Sequence, residues 1–268
     1  MNANAPIGIL DSGVGGYTVA RAVQRLLPTE DVIYYGDGCN APYGNRSAED
    51  IVHLVRQILD FMASKGAKAV GLACNTISTL IDEFADDYPF PIFSIVQAGS
   101  DEVVARGLKQ VGVLSTMFTA KTQCYPRLIH KAAPEIEVYS QGSVNLAAIV
   151  ESCKATDAQV IEELDASLGR LAAAHPDLDA LVLGCTHYPI VRHLIERSYP
   201  QFTNIIDPAE GQARQIAECL AKNGGENKNG GSLTVYTSGD CAQYEQLAET
   251  LGIRLTGRAN PLHAATPL

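Results

Sequence analysis

The chain has 268 residues, and 46% of them are hydrophobic, which is enough to bury the core of one large domain or of two ordinary ones. Its 20 Lys and Arg residues stand against 30 Asp and Glu residues, and the net charge of −10 disfavours nucleic acid and anionic membrane surfaces as partners. No window approaches the roughly 18 uninterrupted apolar residues of a membrane span, and MNANAPIGIL lacks a signal-peptide pattern, so we expect an unexported, cytoplasmic protein.

Short runs of apolar and β-branched residues recur along the chain and predict strands. They lie at 7–10, 31–36, 69–74, 91–96, 110–115, 136–140, 180–185, 203–207 and 232–239. Between the second and third runs, apolar residues at helical spacing predict a helix over 47–66, with Ser47 as its cap and Gly66 as its stop. Late in the chain, 210–225 reads as a helix and NGGENKNGG (223–231) as a flexible, exposed loop.

Three segments of the first half have counterparts 104 to 111 residues later, in the same order. IGILDS corresponds to VGVLST, VIYYG to IEVYS, and AVGLACNT to LVLGCTH. This order favours an internal duplication over coincidence. We therefore predict the α/β class, with two pseudo-symmetric α/β domains, mainly parallel sheets and an active site in the cleft between them.

The segment from about 210 onward has no counterpart in the first half. We expect it to extend the first sheet. The predicted first domain is then 1–97 plus 209–268, and the predicted second domain is 98–208.

Cys74 and Cys185 occupy equivalent places in the repeat, each at the end of a predicted strand and before a helix-like segment. A single buried cysteine is more often structural than catalytic. Paired positions make chemistry equally credible, because two thiols that face one carbon from opposite sides could exchange its hydrogen with inversion. One sulfur would have to be a thiolate and the other a thiol.

Other polar residues cluster around the same strand ends. Asp11 follows the first strand and could orient an ammonium group or assist Cys74, although capping the next helix is an equally good interpretation. His187 could tune Cys185 or be an ordinary hydrogen-bonded histidine. Donors for a substrate carboxylate are available from Asn75, Thr76 and Thr186, and from the backbone N–H groups of the turn at 13–16.

Metal and nucleotide sites are not predicted. Seven cysteines, an odd number without CxxC spacing, are typical of free thiols in a reducing compartment. Cys74, Cys185 and His187 could in principle bind zinc, but the local ligand spacing of structural zinc is missing. The GVGG run lacks the pattern of a phosphate loop or of a dinucleotide fingerprint.

Taken together, five motifs resemble those of bacterial glutamate racemases, within the cofactor-independent aspartate/glutamate racemase superfamily. They are DSGVGG (11–16), APYGNRS (41–47), ACNT (73–76), GCTHYP (184–189) and YTSGD (236–240). The likeness extends over nearly the whole chain. ACNT with GCTH is specific for the superfamily, and DSGVGG with PYG points to its glutamate branch.

The resemblance implies a two-base mechanism without pyridoxal phosphate or any other cofactor. Cys74 would deprotonate the D-enantiomer and Cys185 the L-enantiomer, with Asp11, His187 and Glu151 as assisting groups. The residues that match substrate-binding positions of the family are Ser12, Pro42, Tyr43, Gly44, Asn75, Thr76, Thr116, Thr119 and Thr186. The product would be D-glutamate for peptidoglycan, and the resemblance favours a homodimer.

Two departures from the family pattern bear on the substrate. Relatives commonly carry Thr-Ala-Arg where this chain has Gly38, Cys39 and Asn40, and a proline near the place of Gln97. We expect both changes to flank the cleft. They keep two alternatives open: a racemase for another amino acid such as aspartate, and a ligand-binding protein with an inactive racemase fold.

Overall fold

The structure, a computed structural model, describes residues 1–263. Its ten strands are β1 (Ile7–Asp11), β2 (Val32–Gly36), β3 (Ala69–Leu72), β4 (Ile92–Ser94), β5 (Gln110–Thr116), β6 (Glu137–Ser143), β7 (Ala180–Gly184), β8 (Asn204–Ile206), β9 (Leu233–Thr237) and β10 (Asn260–Pro261).

Its eleven α-helices are α1 (Tyr17–Leu26), α2 (Ala48–Ser64), α3 (Asn75–Ser78), α4 (Ile95–Ala105), α5 (Met117–Thr122), α6 (Cys124–Ala132), α7 (Leu146–Glu151), α8 (Asp157–Ala174), α9 (Arg192–Ser198), α10 (Pro208–Lys222) and α11 (Cys241–Thr250). Short 3₁₀ turns cover Gly38–Asn40, Tyr43–Asn45, Ile81–Glu83, Ala85–Asp87 and Tyr188–Val191.

The strands form two parallel sheets with the same core topology. The first sheet has the order β10-β9-β2-β1-β3-β4, and the second has the order β6-β5-β7-β8. The four-strand pattern β2-β1-β3-β4 thus recurs as β6-β5-β7-β8, as the sequence repeat predicts. The α/β class with two similar parallel-sheet units is confirmed, and β9 and β10 extend the first sheet beside β2 as expected.

Helices cover both faces of the first sheet, which is why its central strands are almost wholly apolar. Alternate residues of β1 enter different cores: Ile9 packs in the cluster that includes α1 and α10, and Leu10 packs in the cluster that includes α2. The second sheet has its own cluster on the side of α8 and α9. The helix α4 packs against both α10 and α6, so it lies between the two sheets, and both predicted domain boundaries fall in or beside α4 and α10. The predicted first domain also includes 264–268, which lie outside the described residues.

Several local predictions are confirmed, and two need correction. Ser47 caps α2 by accepting a hydrogen bond from the Asp50 N–H, and Gly66 has the positive φ of a helix stop. The run at 91–96 is a strand only to Ser94, whose side chain caps α4. The loop at 223–231 is largely exposed, but Gly225 and Asn227 are buried. Within residues 1–263, no helix is long and apolar enough to cross a membrane.

Candidate active site

The carboxyl ends of the central strands bring residues from both halves of the chain to one small cavity. It is lined by Ser12, Pro42, Tyr43, Gly44, Cys74, Asn75, Thr76, Thr116, Ala147, Cys185, Thr186 and His187. Every predicted site residue lines this cavity except Asp11, Glu151 and Thr119, which lie behind it in hydrogen-bond contact with lining residues. Open α/β sheets characteristically place their ligands at such strand ends.

Cys74 belongs to the wall that the first sheet supplies. It follows β3, directly precedes α3 and is buried. Its Sγ lies 3.5 Å from the Ser12 Oγ. Burial, together with the nearby charge of Asp11, raises the pKa of the Cys74 thiol to about 12. Cys74 therefore rests as a protonated thiol that can donate a proton.

Cys185 belongs to the wall that the second sheet supplies, and it begins a relay of three groups. Its Sγ is 3.5 Å from the His187 Nδ1, and the His187 Nε2 is 2.5 Å from the Glu151 Oε2. Burial alone would lower the pKa of His187, but hydrogen bonds to Cys185 and Glu151 outweigh burial and raise that pKa well above 6.5. An imidazolium beside the sulfur stabilises a thiolate. The two thiols thus have different neighbours: Asp11 lies near Cys74, and the Cys185 sulfur faces the His187 imidazole.

Asp11 ends β1 and is completely buried. Its Oδ2 accepts a hydrogen bond from the Gly13 N–H at 3.0 Å, and its Oδ1 accepts one from the Thr186 hydroxyl at 3.2 Å. Burial raises the pKa of Asp11 from 3.8 to about 6, although His187 opposes this rise. Asp11 therefore joins the two halves of the site and carries a charge that the protein solvates poorly.

The glycine-rich turn after Asp11 makes close contacts with the second half of the chain. A Cβ on Gly13 would collide with the Glu151 carboxylate, and a Cβ on Gly15 would lie 2.5 Å from the Thr186 Oγ1. We expected the N–H groups of this turn to face a ligand. Instead, the Gly13 N–H donates to Asp11 and the Val14 N–H donates to Glu151, so this turn orients these two carboxylates.

Three threonine hydroxyls meet where the two halves of the chain come together. The Thr76 Oγ1 is 3.1 Å from the Thr116 Oγ1 and 3.4 Å from the Thr119 Oγ1, and the last two are 3.1 Å apart. Thr116 also caps α5 by accepting a hydrogen bond from the Thr119 N–H. Hydroxyls can rotate their protons toward an anion, so this cluster can receive a carboxylate.

Asp37 anchors the loop that carries Tyr43. Its Oδ2 accepts hydrogen bonds from the Tyr43 hydroxyl at 2.6 Å and from the Asn40 side-chain amide at 3.0 Å. Its Oδ1 accepts one from the Ser238 hydroxyl at 2.6 Å. Asn40 in turn accepts hydrogen bonds from Arg46 through its backbone and side-chain oxygens. Gly38, Cys39 and Asn40 therefore support the loop beside the cavity but do not line it.

Gln97, the second departure from the family pattern, is in the first turn of α4. It donates a side-chain hydrogen bond to Asp101 and lines a separate groove next to α6 and α10. It does not line the cavity between the thiols. Neither departure therefore changes the walls around Cys74 and Cys185.

Sequence reasoning missed three residues of the site. Ala147 lines the cavity from α7, and nothing in its local sequence distinguishes it. Asp37 was detectable, because it directly follows β2 as Asp11 ends β1. Tyr125 in α6 donates a hydrogen bond from its hydroxyl to the Asn75 Oδ1 at 2.8 Å, a contact between distant segments that no local pattern indicates.

This arrangement can move protons on two sides of a small polar molecule. Each wall holds one thiol with a carboxylate nearby, and the other polar lining groups, apart from His187, are neutral. Within the part of the chain that the structure describes, no group of three or more His, Cys, Asp or Glu residues is arranged to hold a metal ion.

Comparison with known proteins agrees with this geometry. The family model for Asp/Glu/Hydantoin racemase matches residues 17–216. A glutamate racemase of Trichormus variabilis is 42% identical over 206 residues, which are 76% of this chain and 70% of that protein. A crystal structure of a glutamate racemase isoform from Bacillus anthracis superposes with a TM-score of 0.90 at 29% identity, covering 97% of this chain and 98% of that one. A Francisella tularensis glutamate racemase in complex with D-glutamate gives a TM-score of 0.87 at 29% identity, with the same coverage.

Proposed function

The chain belongs to the Asp/Glu/Hydantoin racemase family, and we propose that it interconverts L- and D-glutamate by proton transfer between two cysteine thiols. The observation that carries this proposal is the placement of Cys74 and Cys185, from opposite sequence halves, around one small cavity. Curated relatives that match most of the chain are named glutamate racemases, and one solved relative contains D-glutamate.

We propose that L-glutamate reacts first with the thiolate of Cys185. The Cα–H bond breaks, its proton goes to the Cys185 Sγ, and its electron pair remains on the α-carbon and the adjacent carboxylate. The Cys74 Sγ–H bond then breaks, and its proton forms a new Cα–H bond on the opposite face. The product is D-glutamate, Cys185 is left as a thiol and Cys74 as a thiolate. Reaction of D-glutamate is the same sequence in reverse.

The buried assisting groups fit these two roles. His187, held by Glu151, places positive charge next to the sulfur that must start as a thiolate. Asp11 places negative charge near Cys74, which favours the protonated thiol there. In the proposed mechanism the burial of both thiols also keeps water away from the carbanion, because water could deliver a proton to either face.

We propose that neutral donors bind the substrate carboxylates. Asn75, Thr76, Thr116 and Thr186 present amide or hydroxyl groups to the cavity, and Thr119 supports that cluster from behind. Ser12 and the segment 42–44 complete the walls. Among the described residues that line the cavity there is no lysine or arginine, so recognition of the substrate carboxylates depends on how these neutral groups are oriented.

Glutamate is a better proposal than aspartate or a non-catalytic role. Both sequence departures that raised those alternatives lie outside the cavity, at Gly38–Asn40 and at Gln97. Both thiols and all three assisting groups are present and in contact with the site. An inactive binding protein would have no use for two buried, oppositely supported thiols.

At the cellular level, we propose that the protein acts in the cytoplasm and supplies D-glutamate for peptidoglycan, with a small-molecule amino acid as its partner and no nucleic acid or membrane partner. We also propose that it forms a homodimer. Both proposals extend to this chain what the family resemblance implies. The cysteine pattern and the acidic charge are compatible with them.

The test is circular dichroism of L- or D-glutamate under reducing conditions, repeated with aspartate and a wider amino-acid panel. We expect loss of optical activity with glutamate, and a fall of at least about 10²-fold in kcat for Cys74→Ala and for Cys185→Ala. Cys124→Ala is the matched control, because Cys124 is also a buried thiol but does not line the cavity. Preference for another amino acid would contradict the glutamate assignment, and near-normal turnover of either site variant would contradict the two-thiol mechanism.

A further inference from the structure

One side of the Asn75 amide is paired and the other is not. Asn75 follows Cys74, is buried and lines the cavity. Its Oδ1 accepts the hydrogen bond from the Tyr125 hydroxyl at 2.8 Å. Its Nδ2 is buried and has no hydrogen-bond partner among residues 1–263. A buried donor without a partner is costly, and native proteins retain one where a ligand or water can satisfy it.

Tyr125 is itself held in place. It is buried in the first turn of α6, and it packs so closely against α4 that a Cβ on Gly99 would lie 3.0 Å from its hydroxyl oxygen. Burial also raises the pKa of Tyr125 well above 10, so its hydroxyl remains protonated and acts as the donor in the contact with Asn75. The amide oxygen is therefore fixed on the side of Tyr125, and the amide NH₂ is fixed on the other side.

We propose that Tyr125 is a positioning residue that aims the Asn75 NH₂ group at a carboxylate of the substrate. Asn75 belongs to the first half of the site and Tyr125 to the second, so the two halves must be in contact for this donor to be set. The inference rests on the proposed function, because an acidic amino acid supplies the carboxylate. It adds a residue that does not line the cavity.

Tyr125→Phe tests the proposal with little change in packing, because it removes only the hydroxyl. The freed amide can rotate, so we expect KM for both enantiomers of glutamate to rise about five- to tenfold, with kcat changed by less than about twofold. Tyr17→Phe is the matched control. Tyr17 is also a buried tyrosine, its hydroxyl has no partner within the described part of the chain, and it does not line the cavity. It should leave KM unchanged.

A double-mutant cycle separates positioning from general stability. Asn75→Ala removes the amide, so Tyr125→Phe should have no further effect on KM in that background. Asn75→Asp keeps an oxygen acceptor for Tyr125 but replaces the NH₂ group by a charged oxygen, and it should raise KM more than Tyr125→Phe does. Thermal unfolding of each variant checks that it is folded at the assay temperature.

An unchanged KM in Tyr125→Phe, or an equal increase in KM in the Asn75→Ala background, would overturn the inference while leaving the racemase proposal intact. Lack of turnover of glutamate by the wild-type chain would overturn the proposed function itself, and with it the carboxylate that this inference requires. The wild-type rate therefore distinguishes the two failures.

Discussion

Replacing Asp11 by asparagine should stabilise the folded chain at neutral pH while it removes most of the turnover. Asp11 is completely buried, and burial raises its pKa from 3.8 to about 6. The folded state therefore binds a proton more tightly at this carboxyl than the unfolded state does. The contribution of Asp11 to the unfolding free energy is therefore most favourable below about pH 4, and it is lost as the pH rises through about 6.

The size of the effect follows from the pKa rise. A rise of about two units corresponds to about 3 kcal/mol of unfolding free energy lost once Asp11 is ionised. Asparagine avoids this penalty, but it can accept only one of the two hydrogen bonds from the Gly13 N–H and the Thr186 hydroxyl, and the lost bond costs about 1 kcal/mol. The net expected gain for Asp11→Asn near pH 7.5 is about 2 kcal/mol. Near pH 5, where about half of the penalty remains, the gain should be below about 1 kcal/mol.

The assay is urea denaturation of wild type and Asp11→Asn, followed by circular dichroism at about pH 5 and about pH 7.5. The informative quantity is the change in their stability difference between the two pH values, about 1.5 kcal/mol, because effects that do not depend on pH cancel. Asp86→Asn is the control for removing one acidic charge, since Asp86 is exposed. If the difference for Asp11→Asn is the same at both pH values, Asp11 does not titrate between them and the reasoning about its burial is wrong.

Three further predictions concern the relay, the loop and the core. Glu151→Gln should lower kcat/KM by the same factor, about 10²-fold, in both directions, because the enantiomers of glutamate have equal free energy. The basic limb of the pH–rate profile of this variant should also move to lower pH, because His187 loses a partner that raises the pKa of its imidazole. Rates measured across a pH series check this, and a basic limb that stays in place would contradict it. Asp37→Asn weakens the anchor of the cavity-lining tyrosine and should raise KM about fivefold in initial-rate assays, whereas an unchanged KM would remove Asp37 from the site. Lys68→Met leaves the carboxylate of Glu30 buried without its counter-charge and should lower the unfolding free energy by about 3–5 kcal/mol in urea melts, without changing KM at a temperature where the chain is folded.

The sequence was sufficient to predict the fold class, the two similar sheets and most of the strands. Apolar runs mark the strands because parallel strands are buried on both faces, and the order of the repeated runs predicts two similar sheets. The predicted run at 91–96 is too long because Ser94 caps a helix inside it, a signal that a run of apolar residues conceals. The strand β10, at Asn260–Pro261, is too short and too polar for any periodic pattern.

Residues of the candidate site were predictable where they lie at strand ends. They were less predictable where their place in the site depends on contacts between distant segments. The repeat and the strand pattern place Cys74, Cys185 and Asp11 at strand ends, although each of them also had an equally good structural interpretation. Glu151 was expected only through the family resemblance, because its contact with His187 joins α7 to the turn after β7. Tyr125 had no local signal at all, since its hydrogen bond depends on how α6 packs against the first half of the site.

The most direct test of the two-thiol account is the isotope content of each enantiomer early in the reaction. The protein would be mixed with L-glutamate in deuterated buffer, and the reaction would be stopped before much conversion. The two enantiomers would then be separated, and mass spectrometry would give the deuterium content of each. If Cys185 removes the proton and Cys74 delivers a different one, the D-glutamate formed should carry deuterium at the α-carbon while the remaining L-glutamate keeps its protium. Deuterium appearing in L-glutamate as fast as in D-glutamate, or D-glutamate that keeps the original protium, would show that one group acts on both faces and would contradict the account.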